Sequence, residues 1–271
     1  MTVAIIMSVY SGDRDEWIKE SIDSLLVQSY RADIFIAVDG NVTNEVIDTL
    51  KGYEAKHDNI KIQFYETNEG LATRLNDLID TVLSSNVLYK YIARMDADDV
   101  ALPHRIESQV NFLEDNSEIS VVGSSVIEVD EYNSPLFTKI MADSHDDLAE
   151  NIIRKCPFNH PTVVFRSSVF LSGFRYLSGI KNTQDYYLWV QLLSNDYKFS
   201  NLKEPLLYFR VSNDFHKKRG VKKAINEFNA RVYAMKTLSK LSVLNVVFTV
   251  SLLLIRVSPK FISKFAYRYM R

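Results

Sequence analysis

The chain has 271 residues, of which 46% are hydrophobic and 24% charged, with a formal net charge of −2. That length supports a sizeable buried core, that balance excludes general disorder, and a lone Cys156 excludes an internal disulfide. The N-terminus lacks the charged, apolar and small-residue order of a signal peptide, so a reducing cytoplasm is the expected compartment. Cys156, between Lys155 and Pro157 with no adjacent base, is expected to be a packed thiol rather than a nucleophile.

Net charge conceals an asymmetry. From His216 onward there are thirteen basic residues against one acid, Glu227, which leaves 19 basic and 33 acidic residues ahead of it. An acidic body carrying a basic tail calls for a different partner at each end.

In chain order, short apolar runs at 3–9, 34–38, 60–65 and 88–95 read as strands, separated by amphipathic helices at 16–28, 45–56 and 71–84. This alternation predicts an α/β fold with a mostly parallel central sheet flanked by helices. A helix from Pro103 to Asn116, a strand at 119–129 and a helix at 146–154 continue the domain. A punctuated turn, Pro157 to Pro161, leads into the apolar run 162–165, and the segments 185–193 and 206–211 follow before the basic tail. In parallel sheets ligands bind beyond the carboxyl ends of strands, so the residues to inspect are Ser8 and Tyr10, Asp39, Asn68 with Gly70, and Asp96 to Asp99.

Asp96, Asp98 and Asp99 crowd the end of the fourth strand with Arg94 as the nearest counter-charge. Carboxylates so placed repel one another, and a hard divalent cation, Mn²⁺ or Mg²⁺, resolves that repulsion and can neutralise a diphosphate leaving group. Alternatively, Asp99 caps the helix that starts near Pro103 while its neighbours are solvated. The run Asp96-Ala97-Asp98-Asp99-Val100 also satisfies the DxDxV pattern of haloacid-dehalogenase-type phosphatases, although those carry it on their first strand. A phosphatase or nucleotidyltransferase therefore stays as an alternative, as does a non-catalytic, membrane-peripheral nucleotide-binding scaffold.

Several motifs occur together in one order. They are Met7-Ser8-Val9-Tyr10, Val38-Asp39-Gly40, Asn68-Glu69-Gly70-Leu71-Ala72 with Arg74, Ala93-Arg94-Met95-Asp96-Ala97-Asp98-Asp99, Phe158-Asn159-His160-Pro161-Thr162, and Gln184-Asp185-Tyr186-Tyr187-Leu188-Trp189. From about Met7 to Gly220 the chain resembles a family 2 glycosyltransferase of the GT-A fold, and is similar to bacterial enzymes of O-antigen, capsule and amylovoran-type exopolysaccharide assembly. The resemblance implies a UDP-sugar donor and a polyprenyl-diphosphate-linked saccharide acceptor. It implies nucleotide-sugar contacts from Ser8, Tyr10, Asp39, Asn68, Gly70, Arg74, Arg94, Asp96, Ala97 and Asp98, with Asp39 on the uracil, Arg74 on base or phosphate, and Asp98 and Asp96 on the metal. Asp185 is the implied catalytic base, and His160, Gln184 and Trp189 lie on the acceptor side; Gln184 departs from the family pattern, which has Glu there.

Arg210, His216, Lys217 and Arg219 follow the base where related enzymes carry a lid, with His216 a further candidate metal ligand. Lys217 to Arg219 read equally as part of a membrane-facing tail. The expected organisation is a GT-A domain at 1–220, with nucleotide-binding (1–100) and acceptor-binding (101–220) parts, and a helical membrane-associating tail at 221–271. The apolar run 241–255 is too short and too interrupted by polar residues to span a bilayer. Beyond Pro259, basic residues Lys260, Lys264, Arg268 and Arg271 oppose Phe261, Ile262, Phe265 and Tyr269 across a helix, which suits an anionic membrane surface and not nucleic acid. The expected location is the cytoplasmic face of a bacterial inner membrane; packing of this tail on the catalytic domain or on a second subunit is the alternative.

Overall fold

The computed structural model describes residues 2–180, 182–211 and 221–258. Its first half repeats strand and helix: β1 (Val3–Tyr10), α1 (Asp15–Leu26), β2 (Asp33–Asp39), α2 (Asn44–Lys56), β3 (Ile60–Tyr65), α3 (Leu71–Leu83) and β4 (Tyr91–Asp96). β1 lies between β2 and β4, β3 pairs outside β2, and all four strands run parallel. Both faces of this sheet are covered. Ile5, Met7 and Val9 pack with Ile18, Ile22 and Leu50 from α1 and α2, while Ala4 and Ile6 pack with Leu75 and Ile79 of α3. Burial on both faces is why β1 and β2 read as continuous apolar runs instead of alternating ones, whereas the edge strand β3, IKIQFY, is only partly buried and carries Lys61 and Gln63.

The strand expected from residue 88 begins at Tyr91, and Leu88 is exposed. The parallel ladder with β1 starts at Val3 opposite Tyr91, and the Lys90 and Tyr91 amides both reach the Thr2 carbonyl, so residues before them have no strand to pair with.

After β4 the chain forms β5 (Val100–Ala101), α4 (Arg105–Asp115), β6 (Ile119–Val129), β7 (Pro135–Lys139), α5 (His145–Asn151), β8 (Val164–Arg166), α6 (Ser167–Leu171), α7 (Gln184–Leu193) and β9 (Lys198–Arg210). β8 joins β4 and β6 antiparallel, and β9 extends β6 in parallel, giving the order β3-β2-β1-β4-β8-β6-β9-β5 with β7 beside β6. β9 is far longer than its apolar stretch 206–211. Lys203, Glu204 and Pro205 interrupt the pattern, and the ladder absorbs them by a register shift: Ser124 faces Leu202 but Ser125 faces Pro205.

Trp189 anchors the core under the second half of the site. Its ring stacks on Phe165 with centroids 5.6 Å apart and meets Phe158 edge-on at 4.9 Å. At 0% exposure it cannot touch a saccharide, which corrects its expected place on the acceptor side. Depth explains the difference: Asp185 and Trp189, four residues apart, share one side of α7, but Trp189 is enclosed among Phe158, Phe165 and Phe199 while Asp185, in the first turn, stays half-buried. Cys156, expected to be packed, has exposed surface, yet its thiol lies in crowded surroundings that push its pKa up to about 12, as expected of a thiol that is not a nucleophile.

α8 (Val221–Thr237) buries Ala230, Ala234 and Met235 in the same apolar cluster as Trp189, so this part of the expected tail adds to the core. α9 (Val243–Val257) folds back on α8, where Arg256 meets Glu227 at 2.8 Å. Among the described residues no helix is long and apolar enough to cross a membrane. Trp189→Ala should destabilise the fold by about 3–5 kcal/mol in urea unfolding followed by circular dichroism, with Trp189→Phe costing less; an unchanged urea midpoint for the alanine variant would contradict the core assignment.

Candidate active site

Parallel strands bring their carboxyl ends to one edge, and the register sets Ser8 opposite Asp96 and Tyr10 opposite Asp39. Residues far apart in sequence thereby meet. Ser8 is half-buried; Tyr10, 40% exposed, has its hydroxyl pKa raised by burial and by Asp13, Asp98 and Asp96.

Immediately past β4, oxygens of Asp96, Asp98 and Asp99 lie within 4.8 Å of one another, with Ala97 buried between them. Burial, then the Asp96 charge, pushes the Asp98 carboxyl up to about 6; burial, then Asp98 and Asp96, holds Asp99 well above the usual carboxylate range. Asp99 Oδ1 accepts the Arg210 amide at 2.9 Å, while Oδ2 is buried with no partner. The capping alternative is therefore corrected: α4 has His104 at its N-cap, and Asp99 instead points into the cluster and adds a third carboxylate. Close hard-oxygen donors, mutual repulsion and an unpartnered oxygen together fit a divalent cation such as Mn²⁺ or Mg²⁺.

Three arginines brace this turn. Arg94, 1% exposed, donates Nη2 to Asp96, whereas its Nε and Nη1 are buried without a partner. Fully buried Arg105 donates to the Arg94 carbonyl at 2.6 Å. Arg210 donates Nη1 to the Asp98 carbonyl at 2.8 Å and Nη2 to Glu20 and Asn133, with its guanidinium 4.8 Å from the Trp17 ring centroid. Its expected role in a diphosphate lid is corrected, because a 5% exposed side chain with these bonds is a brace of the carboxylate turn. His216, Lys217 and Arg219 lie outside the described residues.

Asp39 closes the opposite end. Its Oδ1 accepts the Glu69 amide at 2.9 Å and Arg74 Nε at 2.8 Å, and its Oδ2 accepts the Gly70 amide at 2.8 Å. A carboxylate oxygen accepts about two hydrogen bonds, so Oδ2 keeps one position for a ligand. Asn68 donates its side-chain amide to the Asp39 carbonyl at 3.0 Å. Gly70 opens α3 at φ 91°, a conformation that glycine adopts without strain. Arg74 is 3% exposed, bonded also to Asp77 and to the Thr67 carbonyl, and stacked 3.8 Å from the Tyr65 ring centroid. This corrects the expected contact of Arg74 with base or phosphate, since each of its three nitrogens donates within the protein, two of them to the Asp39 carboxylate and the Thr67 carbonyl.

Across the cleft, His160 Nε2 lies 2.9 Å from the Tyr176 hydroxyl, and burial, then Arg94, holds its imidazole well below the usual range and therefore neutral. Asn76 on α3 fixes Tyr176 in turn, donating to its carbonyl at 2.8 Å and accepting its amide at 2.9 Å. Asp185 occupies the first turn of α7; burial raises its carboxyl most, the Tyr186 amide and Arg94 oppose, and Asp96 adds. Asp185 thus lies within electrostatic reach of Arg94 and Asp96, which joins the two halves of the site. Gln184 sits beside it with Oε1 buried and unpartnered.

Sequence reading placed Asp99 in the acidic cluster but named only Asp98 and Asp96, with His216, as metal ligands, because a helix cap remained an alternative for Asp99; it missed Tyr176 as the partner of His160. Tyr176 has no local signal, because the Asn76 clamp that places it spans 100 positions.

Residues 4–172 match Glycosyl transferase family 2. The chain belongs to that family. It is 30% identical to the O-antigen biosynthesis glycosyltransferase WbnJ of Escherichia coli, with 88% of this chain and 89% of that protein covered. It is 28% identical to the UDP-Gal:alpha-D-GlcNAc-diphosphoundecaprenol beta-1,3-galactosyltransferase of Escherichia coli, covering 85% of this chain and 82% of that one. The fold is that of GT-A glycosyltransferases: S. aureus TarS residues 1–349 in complex with UDP-GlcNAc superimpose with a TM-score of 0.64 at 16% identity, over 89% of this chain and 71% of that one. The family 2 enzyme is therefore a glycosyltransferase, which removes the phosphatase, nucleotidyltransferase and scaffold alternatives.

Removing Arg74 would leave Asp39 as an uncompensated buried charge. Arg74→Met is expected to lower stability by about 3–5 kcal/mol in guanidinium unfolding, and a loss under about 1 kcal/mol, typical of exposed pairs, would contradict the clamp.

Proposed function

We propose that this enzyme transfers a sugar, with inversion, from a UDP-sugar to a lipid-diphosphate-linked saccharide in bacterial surface polysaccharide assembly, such as O-antigen or capsule. The carrying observation is the carboxylate turn of Asp96, Asp98 and Asp99 with Asp185 in electrostatic reach of it. The names of the two relatives and the nucleotide sugar bound in the TarS complex support the choice of donor and acceptor.

In this reading Ser8, Tyr10, Asn68, Gly70 and the remaining acceptor position of Asp39 border the nucleoside. The unpartnered Nε and Nη1 of Arg94 meet anionic oxygens of the donor, and His160 and Gln184 face the transferred sugar and the acceptor. Asp96, Asp98 and Asp99 would hold the divalent cation, which when bound neutralises charge on the departing diphosphate. An acceptor hydroxyl oxygen attacks the sugar C1 from the face opposite UDP; its proton passes to the Asp185 carboxylate, and the C1–O bond breaks with its electron pair leaving on UDP. Attack from the opposite face inverts the anomeric centre. The protein works as a peripheral component at the cytoplasmic face of the inner membrane, where a lipid-linked acceptor is found.

Asp185→Asn should lower transfer from a radiolabelled UDP-sugar by about 10²-fold or more while leaving donor affinity, read by calorimetry, near wild type; undiminished transfer would exclude Asp185 as the base. Because the deprotonated form is active and burial penalises it, kcat/KM should fall on acidification through a midpoint above the ordinary carboxylate value of about 4. A midpoint at or below that value would count against the same assignment. Chelation should abolish transfer and Mn²⁺ restore it, whereas full activity in chelator would remove the cation from the scheme.

A further inference from the structure

Among the described residues, the α8–α9 hairpin leaves one helix face without protein cover. Thr249 of α9 is 2% exposed, and Arg256 pairs with Glu227 of α8, which turns that edge inward. On the opposite side Val243, Val247, Val250, Leu254 and Val257 recur every three or four residues and are 79, 56, 41, 61 and 44% exposed. Leu241 and Leu244 extend the stripe at 71 and 70% exposure, and no charged residue interrupts it before Arg256. Contiguous apolar surface of this kind marks an interaction site, unlike scattered single residues.

We infer that α9 docks on an anionic lipid surface through this stripe, lying in the interface and not across the bilayer. Charge selects the occupant: from residue 227 onward the chain carries eight basic residues against one acid, Glu227, which pairs with Arg231 and Arg256, and exposed Lys236 closes α8 just ahead of the stripe. A second copy seated face to face would bring like charges together, whereas anionic headgroups complement them. Fifteen residues of helix extend about 22 Å, short of the roughly 30 Å hydrocarbon core. Sequence periodicity placed the lipid contact beyond Pro259, outside the described residues; the structure assigns one to α9. The inference rests on the peripheral-membrane part of the reading above and not on the donor or acceptor.

Flotation of the full chain with phosphatidylcholine vesicles, with and without phosphatidylglycerol, tests it. Wild type should float with the anionic vesicles, and Val247→Glu combined with Leu254→Glu should reduce recovery about tenfold or more. Leu244→Glu serves as a second, milder variant that should give an intermediate loss. Thermal melting should match wild type because these side chains are exposed, and transfer to a water-soluble acceptor should persist, which separates failure of docking from failure of the transferase reading. Equal flotation of wild type and double variant overturns the proposal. So does equal recovery on neutral and anionic vesicles, or a vesicle-free dimer that the double variant dissociates.

Discussion

Mutual repulsion among Asp96, Asp98 and Asp99 is the constraint around which the rest is arranged. With three carboxylates within a few ångströms at a strand end, burial and then the neighbouring charges raise the proton affinity of Asp98 and Asp99. The protein does not relieve this by pairing each with an arginine. Arg94 reaches only Asp96, Arg105 acts on the Arg94 backbone, and Arg210 holds the Asp98 carbonyl and offers its amide to Asp99. Their charge lowers the cost of the cluster while leaving carboxylate oxygens open, a balance suited to a cation and a diphosphate.

Helix α3 carries the second dependence, since it serves both sides of the cleft. Its N-terminal end ties Gly70 and Arg74 to Asp39; one turn on, Asn76 grips Tyr176, which meets His160, whose ring packs against Trp189. A single rigid element therefore spaces the nucleoside end against the acceptor end. Buried or half-buried groups mediate every step, which limits how far small displacements at one end are absorbed by solvent.

The same logic separates two kinds of arginine in the motifs. Arg74 and Arg210 look like ligand-binding residues in sequence because they are cationic and stand near the right strands. In the fold both are nearly fully buried; each guanidinium nitrogen of Arg74 donates to the protein and Arg210 leaves only Nε without a partner, whereas Arg94, beside the carboxylates, leaves both Nε and Nη1 open. Charge and position in sequence are shared by all three; the count of free donors is a tertiary property.

By itself the sequence determined the parallel first half, because strands buried on both faces must be apolar throughout and helices covering them must be amphipathic at a 3.6-residue period. It also determined that Asp96, Asp98 and Asp99 sit past a strand end, since that follows from adjacency along the chain. Tertiary structure alone decided that Asp99 joins the cluster instead of capping α4, that Trp189 is fully enclosed while Asp185 one turn earlier stays half-buried, and that α9 keeps an apolar face outward among the described residues. Each of these depends on which distant segment covers a given side, and local periodicity records that a face is apolar without recording what, if anything, packs against it.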